Sequence, residues 1–294
     1  MKPPLPIVEG VAPSYQWLPA GSWETVLDYL KERFPDVETA TWLSRMAKGE
    51  LVDENGLCLN YKSPYRAHAC IFYYRELESE IKIPFTESVL YRDEHILAAD
   101  KPHFLPVIPS GRFLQETLLV RLRKKWKLEH LVPIHRIDRE TAGIILFSLN
   151  PSTRGDYASL FNNRKVKKVY EAVAGSLPNL DFPLTRRSKM VAGEPFFRMK
   201  EVEGEPNSET RIDIIGEIND FNLYQLNAVT GKKHQIRLHL SALGIPIVND
   251  KFYPEMIYTA DDDFSAPLKL LAKSVSFQDP ITGQERYFES GRKF

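Results

Sequence analysis

HRIDRETAGIILF, residues 135–147, joins a dense polar turn to an unbroken apolar run. Ile144-Ile145-Leu146-Phe147 is short and rich in β-branched and aromatic side chains, so it predicts a strand buried on both faces, with the polar turn held at its mouth. Toward the C-terminus, Tyr157, Leu160 and Phe161 mark a helix. From Lys168 to Ala174 the side chains alternate as in a strand, with Tyr170 on the face shared by Lys168 and Ala172. Residues 210–228 read as a hairpin turning near Asn219-Asp220. Ile236, Leu240 and Leu243 then recur at helical spacing until Gly244 supplies the stop. Toward the N-terminus, Ile96 to Ala99 is a strand running into Asp100-Lys101-Pro102, and Leu114, Leu118 and Leu122 line one side of a helix whose far side is basic. This order lacks the regular strand-helix-strand alternation of a doubly wound sheet and predicts an α+β fold.

Ahead of residue 85 the texture differs. Residues 1–20 are proline-rich and without periodicity, which reads as an extended arm. Ser22 is a good N-cap for a helix carrying Trp23, Val26, Leu27, Leu30 and Phe34, stopped by Pro35. A second helix carries Trp42, Leu43 and Met46 and ends at Gly49. Leu51-Val52 and Leu57-Cys58-Leu59 flank Asn55-Gly56, a pair suited to a tight hairpin because both residues tolerate positive φ. AHACIFYYRE, residues 67–76, adds a strand, and Pro84 marks a linker. The expected organisation is an arm (1–20), a small α/β module (21–84) and a larger domain (85–294).

The chain has 294 residues, 43% of them hydrophobic, enough to bury a sizeable core. Its two cysteines, Cys58 and Cys70, are too few for a disulfide scaffold or a four-cysteine zinc module, which suits a reducing cytosol. No stretch reaches the length of a membrane span, and MKPPLPIVEG lacks the order of a secretory signal, so a cytoplasmic protein without a membrane partner is expected. The 39 basic and 39 acidic residues cancel overall, yet residues 101–200 hold 19 basic against 8 acidic. Within that third the cations cluster at Arg121 to Lys127, at Arg136 and Arg139, from Arg164 to Lys168, and from Arg186 to Lys189. Each cluster by itself reads as a solvated face; four together point to a phosphate backbone.

Two constellations carry chemistry. In the opening stretch, Asp138 lies between Arg136 and Arg139, and nearby positive charge favours the ionised carboxylate. Asp138 is then a poor general acid and a credible nucleophile; it reads equally well as a loop aspartate capping a turn. In TGKKHQIRLH, residues 230–239, Ile236 and Leu240 face the core, so Arg237 lies on another stripe and can reach a buried carboxylate or stand in solvent. Other motif readings fail. His-Arg followed by Asp invites comparison with the kinase catalytic loop, but Ile137 intervenes and no G-x-G-x-x-G occurs. His135, His234 and His239 lack the H-E-x-x-H spacing of a zinc site, and no phosphate-binding G-x-x-x-x-G-K-[ST] loop is present.

With these blocks in hand the sequence resembles the RluA family of RNA pseudouridine synthases over roughly residues 88–280. DEHILAADKPHFLPVIPSG, HRIDRETAGIILF, KKVYEAVAG and TGKKHQIRLHLSALGIPIVNDKFYP follow the family's blocks in order, and residues 21–80 are more weakly similar to the αL RNA-binding motif. The resemblance implies a mixed, mainly antiparallel central sheet with flanking helices. It also implies a cofactor-free isomerase that converts a uridine in ribosomal or transfer RNA to pseudouridine, acting as a monomer.

In that family Asp138 matches the essential aspartate, Tyr170 the tyrosine that stacks on the target base and is implicated in removing the C5 proton, and Arg237 the arginine that pairs with the catalytic carboxylate. Arg136 matches a residue that fills the space left by the extruded base. His135, Thr141, Gly143, His234, Gln235 and Lys101 are expected against the substrate. Three positions depart from the pattern: Ala142 where serine is common, Ile137 where leucine is common, and Leu271 where histidine is frequent. A catalytically silent RNA binder and a metal-dependent nuclease are the rival readings; neither needs Asp138, Tyr170 and Arg237 together.

Overall fold

The computed structural model describes residues 3–177 and 179–294, and the chain divides into two compact units between Glu80 and Ile81. The first two residues of the expected arm lie outside the described residues. No helix among those described is long and apolar enough to cross a membrane.

The first unit contains β1 (Ser14–Trp17), α1 (Val26–Arg33), α2 (Thr39–Ala47), β2 (Leu51–Asp53) and β3 (Cys70–Tyr73), with an antiparallel sheet ordered β1-β3-β2. Leu30, Trp42, Leu51 and Ile71 fill its core. Three sequence expectations change here. The arm is not featureless, because the proline-free run Ser14–Trp17 pairs with β3. Thr25, not Ser22, caps α1: Asp28 three residues later completes a capping box in which Thr25 Oγ1 accepts from Asp28 N and the Asp28 carboxylate accepts from Thr25 N. Asn55-Gly56 does turn, with Gly56 at φ +81°, yet its flanks meet in a single Val52↔Cys58 bridge. The Asp53 carboxylate takes the N–H groups of Asn55 and Leu57 and winds the loop on itself, while the ladder of β2 goes to β3.

The second unit runs β4 (Ser88–Arg92), β5 (Ile96–Lys101), α3 (Leu118–Trp126), β6 (Val132–Pro133), β7 (Ala142–Ser148), α4 (Arg154–Asn162) and β8 (Lys167–Ala174). It continues with β9 (Leu184–Ala192), β10 (Met199–Val202), β11 (Ser208–Ile218), β12 (Phe221–Ala228), α5 (Gln235–Ala242), β13 (Leu270–Gln278) and β14 (Glu285–Glu289). The sheet is ordered β10-β9-β11-β12-β8-β13-β7-β5-β4, with β14 on β13 and β6 on β7. Every pairing is antiparallel except β13 with β7, so the sheet is mixed and mainly antiparallel. Strand β7 is buried along its whole length. Ile145 and Phe147 pack with Leu118 and Leu122 on one face, Ile144 and Leu146 with Tyr157 and Leu160 on the other. Leu114 precedes the helix it was expected to join, because Thr117 caps α3 through Val120 N.

The parallel join positions the site. Its register sets Leu271 against Ala142 and Ala272 against Gly143. Gly143 has φ +114°, and a Cβ there would stand 2.2 Å from the Ala272 carbonyl oxygen, so only glycine lets the strands approach. Ala142 and Leu271, two of the three positions that depart from the family pattern, are thus cross-strand partners, both buried. These two departures amount to one apolar pair at one point of the sheet.

Candidate active site

A cleft of about 1350 Å³ opens beside the parallel join. The loop before β7 supplies His135, Arg136, Asp138, Arg139 and Thr141; β8 supplies Lys168 and Tyr170; the loop into α5 supplies Lys232, Lys233 and His234, and α5 itself Gln235 and Arg237. Among the described lining residues Asp138 is the only carboxylate, against seven cations: Arg136, Arg139, Arg164, Lys168, Lys232, Lys233 and Arg237. Thr141 N donates to the Asp138 carbonyl, closing the turn that presents its side chain.

Arg237 is 1% exposed. Its Nε and Nη2 form a fork on Asp250 at 2.8 and 2.7 Å, while Nη1 reaches Asp138 Oδ2 at 3.3 Å and Glu140 Oε2 at 3.6 Å. The guanidinium also lies over the Phe252 ring, 4.7 Å from its centroid. Burial works against its charge, but the bonded Asp250, then Asp138 and Glu140, reverse that effect and raise its pKa. Arg237 therefore reaches Asp138 from a position set by Asp250, whose Oδ1 accepts further from the N–H groups of Phe252 and Tyr253. Sequence reasoning missed Asp250. The available signal was Arg237 itself, since a guanidinium placed in a core requires a carboxylate.

His234 is the αL residue ahead of α5, φ +54°. Its Nδ1 lies 3.1 Å from the Tyr253 hydroxyl and its Nε2 3.9 Å from Asp138 Oδ1. Burial, partly opposed by Asp138, brings its pKa down to about 4, so the imidazole is neutral at physiological pH. Tyr170, on β8 opposite Leu226, is partly buried, and burial together with the charge of Asp138 pushes its phenol pKa up. The ring is a neutral aromatic wall.

The remaining expected residues divide. Arg136 is exposed on the cleft wall. His135 lines it too, but its Nε2 accepts from Leu146 N and its ring stacks on Phe161 at 4.6 Å; burial, then Lys168, lowers its pKa to about 3. Gln235 is occupied in fixing the loop ahead of α5, accepting from Thr230 Oγ1 and Lys232 N and donating to Glu209 O and Thr210 Oγ1. Gly143 and Lys101 do not line the cleft. Gly143 serves the strand join, and Lys101 is wholly buried, its Nζ donating to the carbonyls of Pro102, Leu105 and Arg139. The geometry makes Lys101 a support beneath the loop in place of the expected substrate contact.

A family model described as RNA pseudouridylate synthase matches residues 95–242. The dual-specificity RNA pseudouridine synthase RluA of Haemophilus influenzae is 32% identical over 211 residues, covering 70% of this chain and 93% of that protein. The tRNA pseudouridine synthase C of Vibrio cholerae is 28% identical over 219 residues, covering 69% and 90%. Among solved structures, human RNA pseudouridylate synthase domain containing 1 superposes with a TM-score of 0.59 at 22% identity, over 73% of this chain and 86% of that one, and shares the fold. The sheet with its single parallel join and the match through the loop, β8 and α5 agree: the chain belongs to the RluA family of RNA pseudouridine synthases, isomerases of RNA.

Proposed function

We propose that the cleft isomerises a uridine in structured ribosomal or transfer RNA, with the Asp138 carboxylate as the reacting group. A lone carboxylate set among seven cations carries this reading. Of these, Arg136, Arg164, Lys168, Lys232 and Lys233 hold the phosphates around a flipped nucleotide, and the carboxylate is left as the one anionic group to meet it. The relatives support RNA as the class of substrate, since their names place them on RNA and, for one of them, on tRNA.

The chemistry fits what the chain supplies. The C1′–N1 bond breaks, the uracil turns, and C5 joins C1′; the hydrogen lost from C5 is balanced by one gained at N1, so no redox partner or water is consumed. A base inside a stack must first be flipped, at a cost of a few kcal/mol. Stacking on Tyr170 and phosphate contacts from Arg136, Lys168, Lys232 and Lys233 offset that cost. Arg237 orients Asp138 without being spent, because its fork on Asp250 holds it in place. In this scheme the first unit adds a second contact to RNA.

The test is release of tritium from RNA labelled at C5 of uridine. The wild-type protein releases it in the presence of EDTA and leaves the RNA full length. Asp138→Asn abolishes release while keeping the urea midpoint of the wild type. Undiminished release by Asp138→Asn removes the assignment, and RNA shortening would favour a nuclease.

A further inference from the structure

We propose that the tip of the β9–β10 hairpin docks the RNA substrate, with Phe196 stacking on an unpaired base beside the flipped uridine. This rests on the reading of the Asp138 cleft as the uridine site. Phe196 is 85% exposed, so its ring contributes almost nothing to the core. It is nevertheless held in place: Gly193 N donates to Arg198 O at 3.0 Å and Arg198 N to Pro195 O at 2.8 Å, which closes the turn around it. A phenyl ring presented to solvent on a closed turn is poised to receive a flat partner.

The turn is tied to the cleft. Phe196 meets Phe197 edge-on at 5.4 Å, Phe197 meets Phe252 at 5.4 Å, and Phe252 meets His234 at 5.4 Å. A ladder of four rings thus runs from solvent to the imidazole beside Asp138. A second connection runs parallel to it. Met199 N donates to the Tyr253 hydroxyl, which lies 3.1 Å from His234 Nδ1, and Arg198 crosses the Tyr253 ring and donates to Pro254 O. Immediately after the hairpin, Pro206 and Asn207 line the cleft itself. Phe196 therefore stands within a few nucleotides' reach of the flipped base, at a distance fixed by packed side chains.

Charge selects the occupant. Of the five cations in residues 184–202, Arg186 is paired with Glu201 and Arg187 with Glu209, which leaves Lys189, Arg198 and Lys200, against Glu194, to face a partner. An apolar tip on a cationic hairpin that leads into a cationic cleft matches single-stranded RNA, where phosphates take the charge and each base offers a face for stacking. Such stacking tolerates any base, so Phe196 sets the requirement for an unpaired neighbour and leaves its identity open.

The full-length protein is compared with Phe196→Ala and Phe196→Trp in two assays: tritium release from C5-labelled bulk RNA, and anisotropy with a fluorescein-labelled oligouridylate. Phe196→Ala is expected to raise KM and weaken oligouridylate binding about tenfold, toward the lower end of what stacking on one base supplies, with kcat within twofold and the urea midpoint unchanged. Phe196→Trp restores both. Wild-type binding and KM in Phe196→Ala overturn the proposal, as does a Phe196→Trp variant that fails like alanine. So does sedimentation showing that Phe196→Ala changes only self-association. Absence of tritium release by the wild type, with oligouridylate binding still weakened by Phe196→Ala, sinks the uridine assignment and upholds the stacking.

Discussion

Two buried cations grip the loop that carries Asp138, and they meet the same burden differently. Arg237 and Lys101 are 1% and 0% exposed. Arg237 is surrounded by formal anions, forked on Asp250 and facing Asp138 and Glu140. Among the described residues, Lys101 has only carbonyl dipoles within bonding distance, those of Pro102, Leu105 and Arg139. Burial opposes both charges. For Arg237 the anions win and its pKa rises; for Lys101 burial wins over the more distant Glu140 and Asp138, and its pKa falls to about 7. A bonded carboxylate keeps a buried cation charged against burial, whereas three carbonyls favour the ammonium more weakly than burial opposes it.

The contrast makes Arg237→Met the more damaging change. It strands the wholly buried Asp250 carboxylate without a counter-charge, and breaking a buried pair in this way costs about 3–5 kcal/mol. Urea unfolding at pH 7 measures the loss, and tritium release should fall with it because Asp138 loses the guanidinium that orients it. Arg237→Lys keeps a charge but not the fork and should lie between. A loss below about 1 kcal/mol for the methionine variant, on the low side for even one charged hydrogen bond, contradicts the anchoring described. Lys101→Met should cost less, about 2 kcal/mol, because it orphans carbonyls and no carboxylate. Its expected kinetic effect is a several-fold lower kcat at unchanged KM, since Lys101 holds the loop through Arg139 O and does not line the cleft. A raised KM with kcat preserved would instead return Lys101 to the substrate.

These two residues also mark how far the sequence could be read. Strand β7, the alternation around Tyr170, the turn at Asn219 and the helix stopped by Gly244 were legible because period and punctuation are local properties. The gathering of Asp138, Tyr170 and Arg237 at one cleft came through the family likeness. What the likeness could not convey is which cations face inward. The cluster at Arg121 to Lys127 reads as basic surface, yet Arg121 is bound by Glu87, Glu116 and the Ile83 and Phe85 carbonyls, and Arg123 is buried with its guanidinium on Leu131 O. Glu87 and the Ile83 and Phe85 carbonyls lie more than thirty residues before Arg121, and a main-chain carbonyl such as Leu131 O leaves no mark in the sequence, so a charge count treats these arginines like Arg136, which does open into the cleft. The N-cap of α1 at Thr25 was missed for a smaller reason: the capping box was legible in Thr25 and Asp28, but Ser22 stood first.

The gentlest test of the contrast uses pH. The folded Lys101 pKa of about 7 lies below the ordinary lysine value of 10.5, so between those limits the unfolded chain binds a proton that the folded chain does not. Stability therefore rises with pH across that window, by up to about 1.4 kcal/mol per pH unit from this residue, and the cost of burying the ammonium is fully felt below pH 7. Arg237 has the opposite sign of shift, and the stability it adds is present at every pH below its ordinary value of 12.5, so it contributes no slope in the same window. Urea midpoints of wild type and Lys101→Met at pH 7, 8 and 9 isolate the effect, because every other titrating group is common to both. The stability difference between them should widen in favour of the wild type as pH rises, while the difference between wild type and Arg237→Met stays constant. Parallel curves for the lysine pair would mean that Lys101 keeps its proton throughout, and that three carbonyls defend a buried charge as well as a carboxylate does.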